Sequence, residues 1–436
     1  MRRRIGIRRE DKNPWERRVP LTPEDIRELS ERHQLEFWLQ PSEIRIIPDQ
    51  AYVEVGAKIE EDLSSCPVVF AVKEIPVGLF RAGSTYVFFA HVIKGQKYNM
   101  GMLRKMMELG CQLIEYEKVA DDGGRRLIFF GKHAGLAGMI DALWALGQRL
   151  NWEGIPTPLA DIKHAYQYES LEQAKAEITR VGKKISSQGL PESLAPLVVG
   201  IAGYGHVSQG AQEILSLLPA QEIAPEKVGK LARASSASNR VIYKTVFREE
   251  HMVEPIAPEA MFELQDYYDH PEKYRTQFPA YVPHLTVLMN CIYWEERYPR
   301  LVTKQFLKEL YRGSSRPRLR VIGDISCDIE GAIECTVKWT NPEKPIFVYN
   351  PFDGTTRDGH EGTGPVVLAV DNLPCEIPRE SSIYFSNILK EFVPAIAAAD
   401  PSVHFSDYRL PAEIKRAVIV YKGELTPDYR YIERYL

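Results

Sequence analysis

No stretch of the 436-residue sequence approaches the roughly 18–20 consecutive apolar residues that a membrane-spanning helix needs, so a transmembrane helix is excluded. The arginines of "MRRRIGIRRED" are not followed by an apolar core of signal-peptide length, so no secretory leader is expected. Cysteine is scarce and scattered: Cys66, Cys111, Cys291, Cys327, Cys335 and Cys375 form no C-x-x-C and no regular spacing. That argues against a disulfide framework or a zinc site and for a reducing compartment, with cytoplasm the plain expectation. Charge of one sign is also missing. A formal net charge of −4 gives no reason to expect nucleic acid or an anionic membrane surface as partner. There is no internal repeat and no low-complexity tract.

What is present is an ordinary globular composition, 44% apolar and 26% charged, in a chain too long for one core. Two domains are the first expectation. In the first 130 residues, short apolar runs alternate with helical patterns, which implies an α/β domain. "RIGIRRE" reads as a strand. "LTPEDIRELSERH" reads as a helix with Thr22 as N-cap, Pro23 at its first position and acids in its first turn. "CPVVFAV" and "STYVFFAHV" show no polar alternation, as expected of parallel strands covered on both faces. "NMGMLRKMMELG" is a helix, and "QLIEY" and "RLIFF" read as further strands. A long helix starts in "HAGLAGMIDALWALGQRL", where Ala134, Gly135, Ala137 and Gly138 permit close backbone contact. "SSQGLPESLAP" reads as a loop before the second domain. Beyond it lie a strand, a glycine turn and a helix, then strands in "LTVLMN", "LRVIGDI" and "VVLAVD". "RESSIYFSNILKEFVPAIAAAD" reads as one long helix and "RAVIVYKG" as a short strand.

Gly203, Gly205 and Ser208 form G-x-G-x-x-S between an apolar strand and an amphipathic helix, with Gly210 two residues on. Glycines there allow a tight turn and close approach of a pyrophosphate to the helix N-terminus, where free N–H groups and the dipole favour anions. The acid expected roughly 20 residues further on falls near Glu222 or Glu226. Neither ends an apolar strand cleanly, so NAD and NADP both stay open. Lys73 and His91 each terminate an apolar run, at the strand ends where open parallel sheets collect ligands. An apolar edge lowers a lysine pKa toward neutrality, and histidine needs little tuning, so the two suit proton exchange. The plain alternative is a lysine stem lying along apolar surface and a histidine capping a strand. Glu117, ending a third strand, is placed to tune either partner. Arg8, Arg17 and Arg18 flank the first strand and helix, and guanidinium suits bidentate carboxylate binding.

In chain order, "IRREDKNPWERRVPLTP", "AVKEIP", "FFAHVIKGQ", "YEKVADDGGRR", "FGKHAGLAGM", "GYGHVSQGAQEI", "CIYWEERYPRLVT", "GDISCDIEG" and "VDNLPCEIPRESS" resemble lysine–2-oxoglutarate reductase, the saccharopine-forming half of aminoadipic semialdehyde synthase. The likeness runs from about Arg4 to "PDYRYI", within the saccharopine dehydrogenase and alanine dehydrogenase superfamily. It implies an α/β fold of two Rossmann-like domains with parallel sheets and the active site in the interdomain cleft. The first domain is then discontinuous, residues 1–150 completed by 380–436, and residues 151–379 form the dinucleotide-binding domain. It implies Lys73 and His91 as the acid–base pair, Glu117 as the carboxylate that tunes them, and Arg8 and Arg18 as binders of substrate carboxylates. Gly203, Gly205, His206, Val207 and Ser208 match the coenzyme turn, His206 without a role of its own, and Asp324 lies near the nicotinamide. Cys291 stands where a glycine is expected, a departure able to reshape the backbone beside the coenzyme. No metal ligands are implied.

The activity the resemblance implies is condensation of L-lysine with 2-oxoglutarate and reduction of the imine to saccharopine, in lysine degradation. NADPH is the expected coenzyme, with NADH the alternative. The bifunctional relatives carry a second, glutamate-forming dehydrogenase, which is expected to be absent here or on another polypeptide. The expected partners are therefore lysine, 2-oxoglutarate and saccharopine, a separate saccharopine dehydrogenase, and a second copy in a homodimer. Three readings stay open beside it: an NAD-dependent, lysine-forming saccharopine dehydrogenase, an alanine-type dehydrogenase, and a non-catalytic metabolite-binding relative. "IYWEERYPRLVT" speaks against the alanine type, and a binding-only protein needs no proton-exchanging pair.

Overall fold

The computed structural model describes residues 3–232, 234, 237–314 and 316–436. It divides into two units, residues 1–130 with 378–436, and residues 131–377. In the first unit the strands are β1 (Arg3–Ile7), β2 (Leu35–Leu39), β3 (Lys58–Ile59), β4 (Val68–Phe70), β5 (Thr85–Phe88) and β6 (Gln112–Glu115). They lie side by side in the order β3-β2-β1-β4-β5-β6, all parallel. This is the doubly wound order, and its reversal point lies between β1 and β4. Every residue of β4, β5 and β6 is buried, which explains why these runs carry no polar alternation. The helix Pro23–His33 begins as its sequence dictates: Thr22 Oγ1 accepts the Asp25 N–H, and Glu24 and Asp25 sit against the positive end of the dipole. The helix Lys97–Glu108 carries the chain from β5 to β6.

In the second unit the strands are β7 (Leu197–Ala202), β8 (Ala220–Glu222), β9 (Ile242–Phe247), β10 (Val253–Pro255), β11 (Tyr274–Thr276), β12 (Val287–Asn290), β13 (Val321–Asp324), β14 (Ile346–Tyr349), β15 (Thr356–Asp358) and β16 (Val366–Leu368). The sheet order is β8-β9-β7-β12-β13-β16-β14-β15, with β14 and β15 antiparallel additions, while β10 and β11 form a separate ribbon. The chain then returns to the first unit. There β17 (Val418–Tyr421) pairs antiparallel with β6, and β18 (Glu424–Leu425) pairs with β17. No helix among the described residues is long and apolar enough to cross a membrane. The six cysteines are free and buried.

Four boundaries differ from the sequence reading. The helix Gly131–Trp152 falls in the second unit rather than the first. Its partner is the helix His206–Leu215, approached so closely that a Cβ on Gly135 would lie 1.9 Å from the Val207 carbonyl oxygen and one on Gly210 2.1 Å from that of Lys132. "RLIFF" forms no strand, because the edge of β6 that it would need is taken by β17. The long C-terminal helix is two, Pro378–Leu389 and Val393–Ala398, since Pro394 has no N–H to continue the first. An unforeseen helix, Leu171–Gln188, runs into the segment read as loop, capped by Ser170 Oγ accepting the Gln173 N–H.

The returning helix Pro378–Leu389 fixes the loop that follows β1. Ser382 Oγ accepts the Val19 N–H at 3.0 Å and Ser386 Oγ accepts the Thr22 N–H at 2.8 Å. Two buried hydroxyls thus tie residues 19–22 to a segment more than 350 positions away in sequence.

Candidate active site

In the first unit, β1, β4, β5 and β6 deliver Arg8, Lys73, His91 and Glu117 beyond their carboxyl ends. Lys73 is half-buried, and its ammonium donates no hydrogen bond to any described residue. Burial lowers its pKa from the ordinary lysine value, and the Arg18 charge lowers it further against the pull of Glu16 and Glu74. His91 Nδ1 lies 2.8 Å from Glu74 Oε1, and Lys12 Nζ lies 2.9 Å from Glu74 Oε2. Burial opposes ionisation of Glu74, but His91 and Lys12 outweigh it and hold the carboxyl well below the usual range. The partner of the imidazole is therefore Glu74, the neighbour of Lys73 in "AVKEIP". Glu117 stands elsewhere, with Arg126 Nη1 at 3.7 Å from its carboxylate.

His91 has φ of 49°, a left-handed conformation uncommon for a residue with a side chain. A carboxylate compensates. Glu115 Oε2 accepts the Ala90 and His91 N–H groups at 2.8 and 2.9 Å, and Asn99 Nδ2 donates to the Ala90 carbonyl at 2.8 Å. Lys73 is held in the same way: Glu10 accepts the Val72 N–H at 2.7 Å and the Lys73 N–H at 2.9 Å. Lys73 and His91 thus each hang from a buried carboxyl group at another strand's end. Burial, with repulsion from Glu16, raises the Glu10 pKa to about 7 against the two amides. Burial, with repulsion from Glu117, raises that of Glu115 to about 8. Sequence reasoning missed Glu10, Glu74 and Glu115. The available signal was an acid at the end of each flanking apolar run, uninterpretable until the strands are paired.

The two arginines differ. Arg8 is 3% exposed, and its Nη2 meets Asp11 while Nε and Nη1 have no partner. It lines a cavity of about 50 Å³ with Gln40, Ser64, Val69 and Tyr86. A buried guanidinium with an open edge is suited to a carboxylate. Arg18 forms a buried two-point pair with Glu16, at 2.7 and 2.6 Å, under the Phe130 ring. Arg17 donates Nε to the Ile44 carbonyl.

In the second unit the strand–turn–helix forms as its glycines require. Gly203 has φ of 96°, and a Cβ there would lie 3.1 Å from the Cys291 carbonyl oxygen. Cys291, in place of the expected glycine, therefore meets the turn with its backbone. Around Gly205 a Cβ would meet nothing within 4 Å, so the space above the helix N-terminus is open. The first intrahelical bond runs from Gln209 N–H to the Gly205 carbonyl, so the first-turn amides at 206–208 point out of the helix end. Ser208 is buried and accepts from Gln212 Nε2 at 2.9 Å, while the Val207 carbonyl abuts Gly135. The turn opens on a cavity of about 390 Å³ lined also by Tyr204, Glu249 and Tyr268.

The strand beside β7 is β9, so the second-strand position belongs to Arg248 and Glu249, not to Glu222 or Glu226. Glu222 ends the outer strand β8 and pairs with Lys244 at 2.7 Å, and Glu226 meets His251 at 3.3 Å. The spacing rule failed because β8 and a short helix intervene. The Arg248 guanidinium lies 4.8 Å from the Tyr204 ring centre, and Glu249 accepts from the Tyr268 hydroxyl at 2.8 Å. Asp324, ending β13, accepts from Asn290 Nδ2 at 2.8 Å, Thr336 Oγ1 at 2.6 Å and the Cys327 N–H at 3.3 Å. It ties β12, β13 and the loop after them together, and burial raises its pKa to about 6 against these donors.

Comparison with known proteins gives matches over nearly the whole chain. The family model for the alanine dehydrogenase/PNT N-terminal domain matches residues 6–137, and that for the C-terminal domain matches residues 272–428. An alpha-aminoadipic semialdehyde synthase of Arabidopsis thaliana is 39% identical over 447 residues, covering 99% of this chain and 41% of the relative. The chain thus spans less than half the length of that relative. A saccharopine dehydrogenase [NAD(+), L-lysine-forming] of Emericella nidulans is 28% identical, covering 88% of this chain and 90% of its own. Among solved structures, an L-alanine dehydrogenase superposes with a TM-score of 0.62 at 18% identity, covering 99% of both chains, a likeness of fold.

Proposed function

The chain belongs to the saccharopine dehydrogenase and alanine dehydrogenase superfamily, and from that premise we propose that it condenses L-lysine with 2-oxoglutarate and reduces the imine to saccharopine. The observation that carries this reading is Lys73: an ammonium at a sheet's reversal point, its charge opposed by burial, with a carboxylate-bound imidazole at the end of the neighbouring strand. Forming an imine from an amine and a ketone takes a proton from nitrogen and gives one to the departing oxygen. Lys73, easily deprotonated, and His91, oriented by Glu74, supply those transfers. Arg8 offers its open edge to a carboxylate of the keto acid, and Arg18 attracts a second through its charge. Glu10 and Glu115 hold the proton-exchanging residues in place, and Glu117 acts on them through Glu115.

A reduced nicotinamide coenzyme would supply the hydride. The glycine turn and the first-turn amides at 206–208 fit its pyrophosphate, and Asp324 steadies the strand ends beside them. Arg248, at the end of the strand next to the turn, matches the 2′-phosphate of NADPH, while Glu249 beside it, which lines the cavity, matches the ribose 2′-hydroxyl of NADH, the alternative. Free, buried cysteines suit a reducing compartment such as the cytoplasm.

The test follows nicotinamide absorbance with lysine, 2-oxoglutarate and each reduced coenzyme in turn. Oxidation should require both substrates and run faster with NADPH. Oxidation with pyruvate and ammonia instead would reassign the chain to the alanine type, and no turnover in any mixture would favour a binding protein. A second reading, the lysine-forming saccharopine dehydrogenase, is favoured by the Emericella nidulans relative's coverage of 90% and predicts preference for NAD.

A further inference from the structure

Asp141, His164 and Glu376 come together in the core of the second unit, and nothing in the chemistry above uses them. Asp141 lies on the helix Gly131–Trp152, His164 precedes the turn Ala165–Gln167, and Glu376 ends the turn Leu373–Glu376. Their exposures are 0%, 8% and 2%. One ligand atom from each lies within 4.8 Å of the other two. Asp141 Oδ1 accepts the Ala165 N–H at 2.6 Å, while its Oδ2, His164 Nδ1 and both oxygens of Glu376 lack a well-formed hydrogen bond among the described residues, although the Asp141 carboxyl and the Tyr166 amide act on Glu376.

Four buried polar atoms on three side chains, none with a well-formed hydrogen bond, are costly in one apolar pocket. An uncompensated buried polar group costs about 1–3 kcal/mol, and a buried charge more unless it is paired or coordinates a metal. Here the two carboxyls face each other, with no lysine or arginine among the described residues acting on them. The surroundings are apolar: Ile140, Leu143, Leu373 and Ile377 belong to the same core. The His164 ring is flanked by Trp144 at 5.1 Å and Tyr166 at 6.2 Å between centroids. Three outcomes relieve such a site. The carboxyls share a proton, the imidazole takes one, or a cation enters. A divalent cation with a neutral imidazole satisfies all three side chains at once and leaves no net charge in the core, with no proton shared between the carboxyls.

We propose that Asp141, His164 and Glu376 bind a divalent transition-metal cation of the zinc type. One imidazole nitrogen with two carboxylates is a donor set for zinc or its first-row neighbours rather than for calcium or magnesium, which prefer oxygen alone. Zinc bonds near 2.0–2.2 Å bring tetrahedral ligand atoms to about 3.3–3.5 Å apart. Small rotations of three side chains close the set from its present spread. The ion joins the helix Gly131–Trp152 to both turns. The same helix lies against the helix that bears the glycine turn, so the cation steadies the coenzyme-binding unit from behind.

The test uses the full chain, stripped with a chelator, dialysed into metal-free buffer and titrated with zinc chloride. About one zinc should bind per chain, and the thermal midpoint should rise by about 5–10 °C at saturating metal. Loss of one ligand in His164→Ala or Glu376→Gln should weaken binding by at least about tenfold and abolish the rise. Anomalous scattering from crystals of the zinc-loaded wild type should place the ion between the three side chains, an outcome that does not depend on the variants folding. Wild type that takes up no stoichiometric zinc or manganese overturns the proposal. So does metal bound elsewhere, or zinc binding unchanged in both variants. A Glu376→Gln chain more stable than metal-free wild type, with wild type indifferent to zinc, identifies a proton-sharing carboxyl pair and also overturns it.

Discussion

Lys73 and His91 stand out in the sequence because each ends an apolar run with an ionisable group, and strand ends are where such groups meet ligands. Their support does not stand out. Glu74 adjoins Lys73 in the chain yet serves His91, and that pairing exists only because β4 and β5 are neighbours. Replacing Lys73 with Met should lower turnover by about a hundredfold or more while leaving coenzyme affinity within about twofold, measured by steady-state kinetics and fluorescence titration. Equal turnover in the two proteins would remove Lys73 from the reaction. For Arg8→Lys, the compact ammonium cannot offer the same open edge, so the KM for the keto acid should rise about tenfold to a hundredfold, with a smaller change in kcat. A KM unmoved by this change would leave Arg8 a structural partner of Asp11 alone.

Elements repeat one device at this site: a strand end carries Lys73 or His91, and a carboxyl group from a different strand end holds the amides there. The device has a pH signature. Glu10 and Glu115 have pKa values of about 7 and 8 in the fold against an ordinary 4.5, so the fold favours their protonated forms. Their stabilising contribution is complete below about pH 4.5 and is lost as pH rises through 7–8. The urea midpoint of the wild type should therefore decline between pH 5 and pH 8.5, and Glu115→Gln should flatten that decline. A decline unchanged in the variant would show that Glu115 is ionised throughout. Close helix packing gives a second prediction at this scale. Gly210→Ala drives a methyl against the Lys132 carbonyl and should destabilise the second unit by about 2–4 kcal/mol, read by denaturant titration. Midpoints within experimental error of each other would refute that reading. The small residues of this helix were visible in the sequence, but their partner was not, so the helix was assigned to the wrong unit. "RLIFF" misled for the same reason: its apolar pattern suits a strand, and whether an edge is available depends on β17, almost 300 residues away.

The two sheets are built alike except at one edge: the first runs β3-β2-β1-β4-β5-β6, whereas in β8-β9-β7-β12-β13-β16 the strand β8 precedes β9 in the chain and lies outside it. The alternation of apolar runs and helices was enough to read the class, because parallel sheets buried on both faces leave that mark locally. Discontinuity of the first unit leaves no local mark and was read through resemblance. The misplacement of the second-strand acid shows the limit of spacing rules: one inserted strand shifts the position by more than twenty residues, from Glu222 to Glu249. Cysteine spacing, the usual mark of a metal site in a sequence, is blind to a cluster without cysteine. The proposed cation set has no sulfur and draws its residues from positions 141, 164 and 376, which no spacing rule links.

The sheet of the first unit carries a consequence for how the protein is made. As the ribosome releases the chain, residues 131–377 emerge complete before Val418–Tyr421 exists, so the unit that starts later in the sequence is free to finish folding earlier. Until β17 arrives, β6 waits with an open edge of unpaired backbone groups, the kind of surface that nascent chains bury in one another and that chaperones cover.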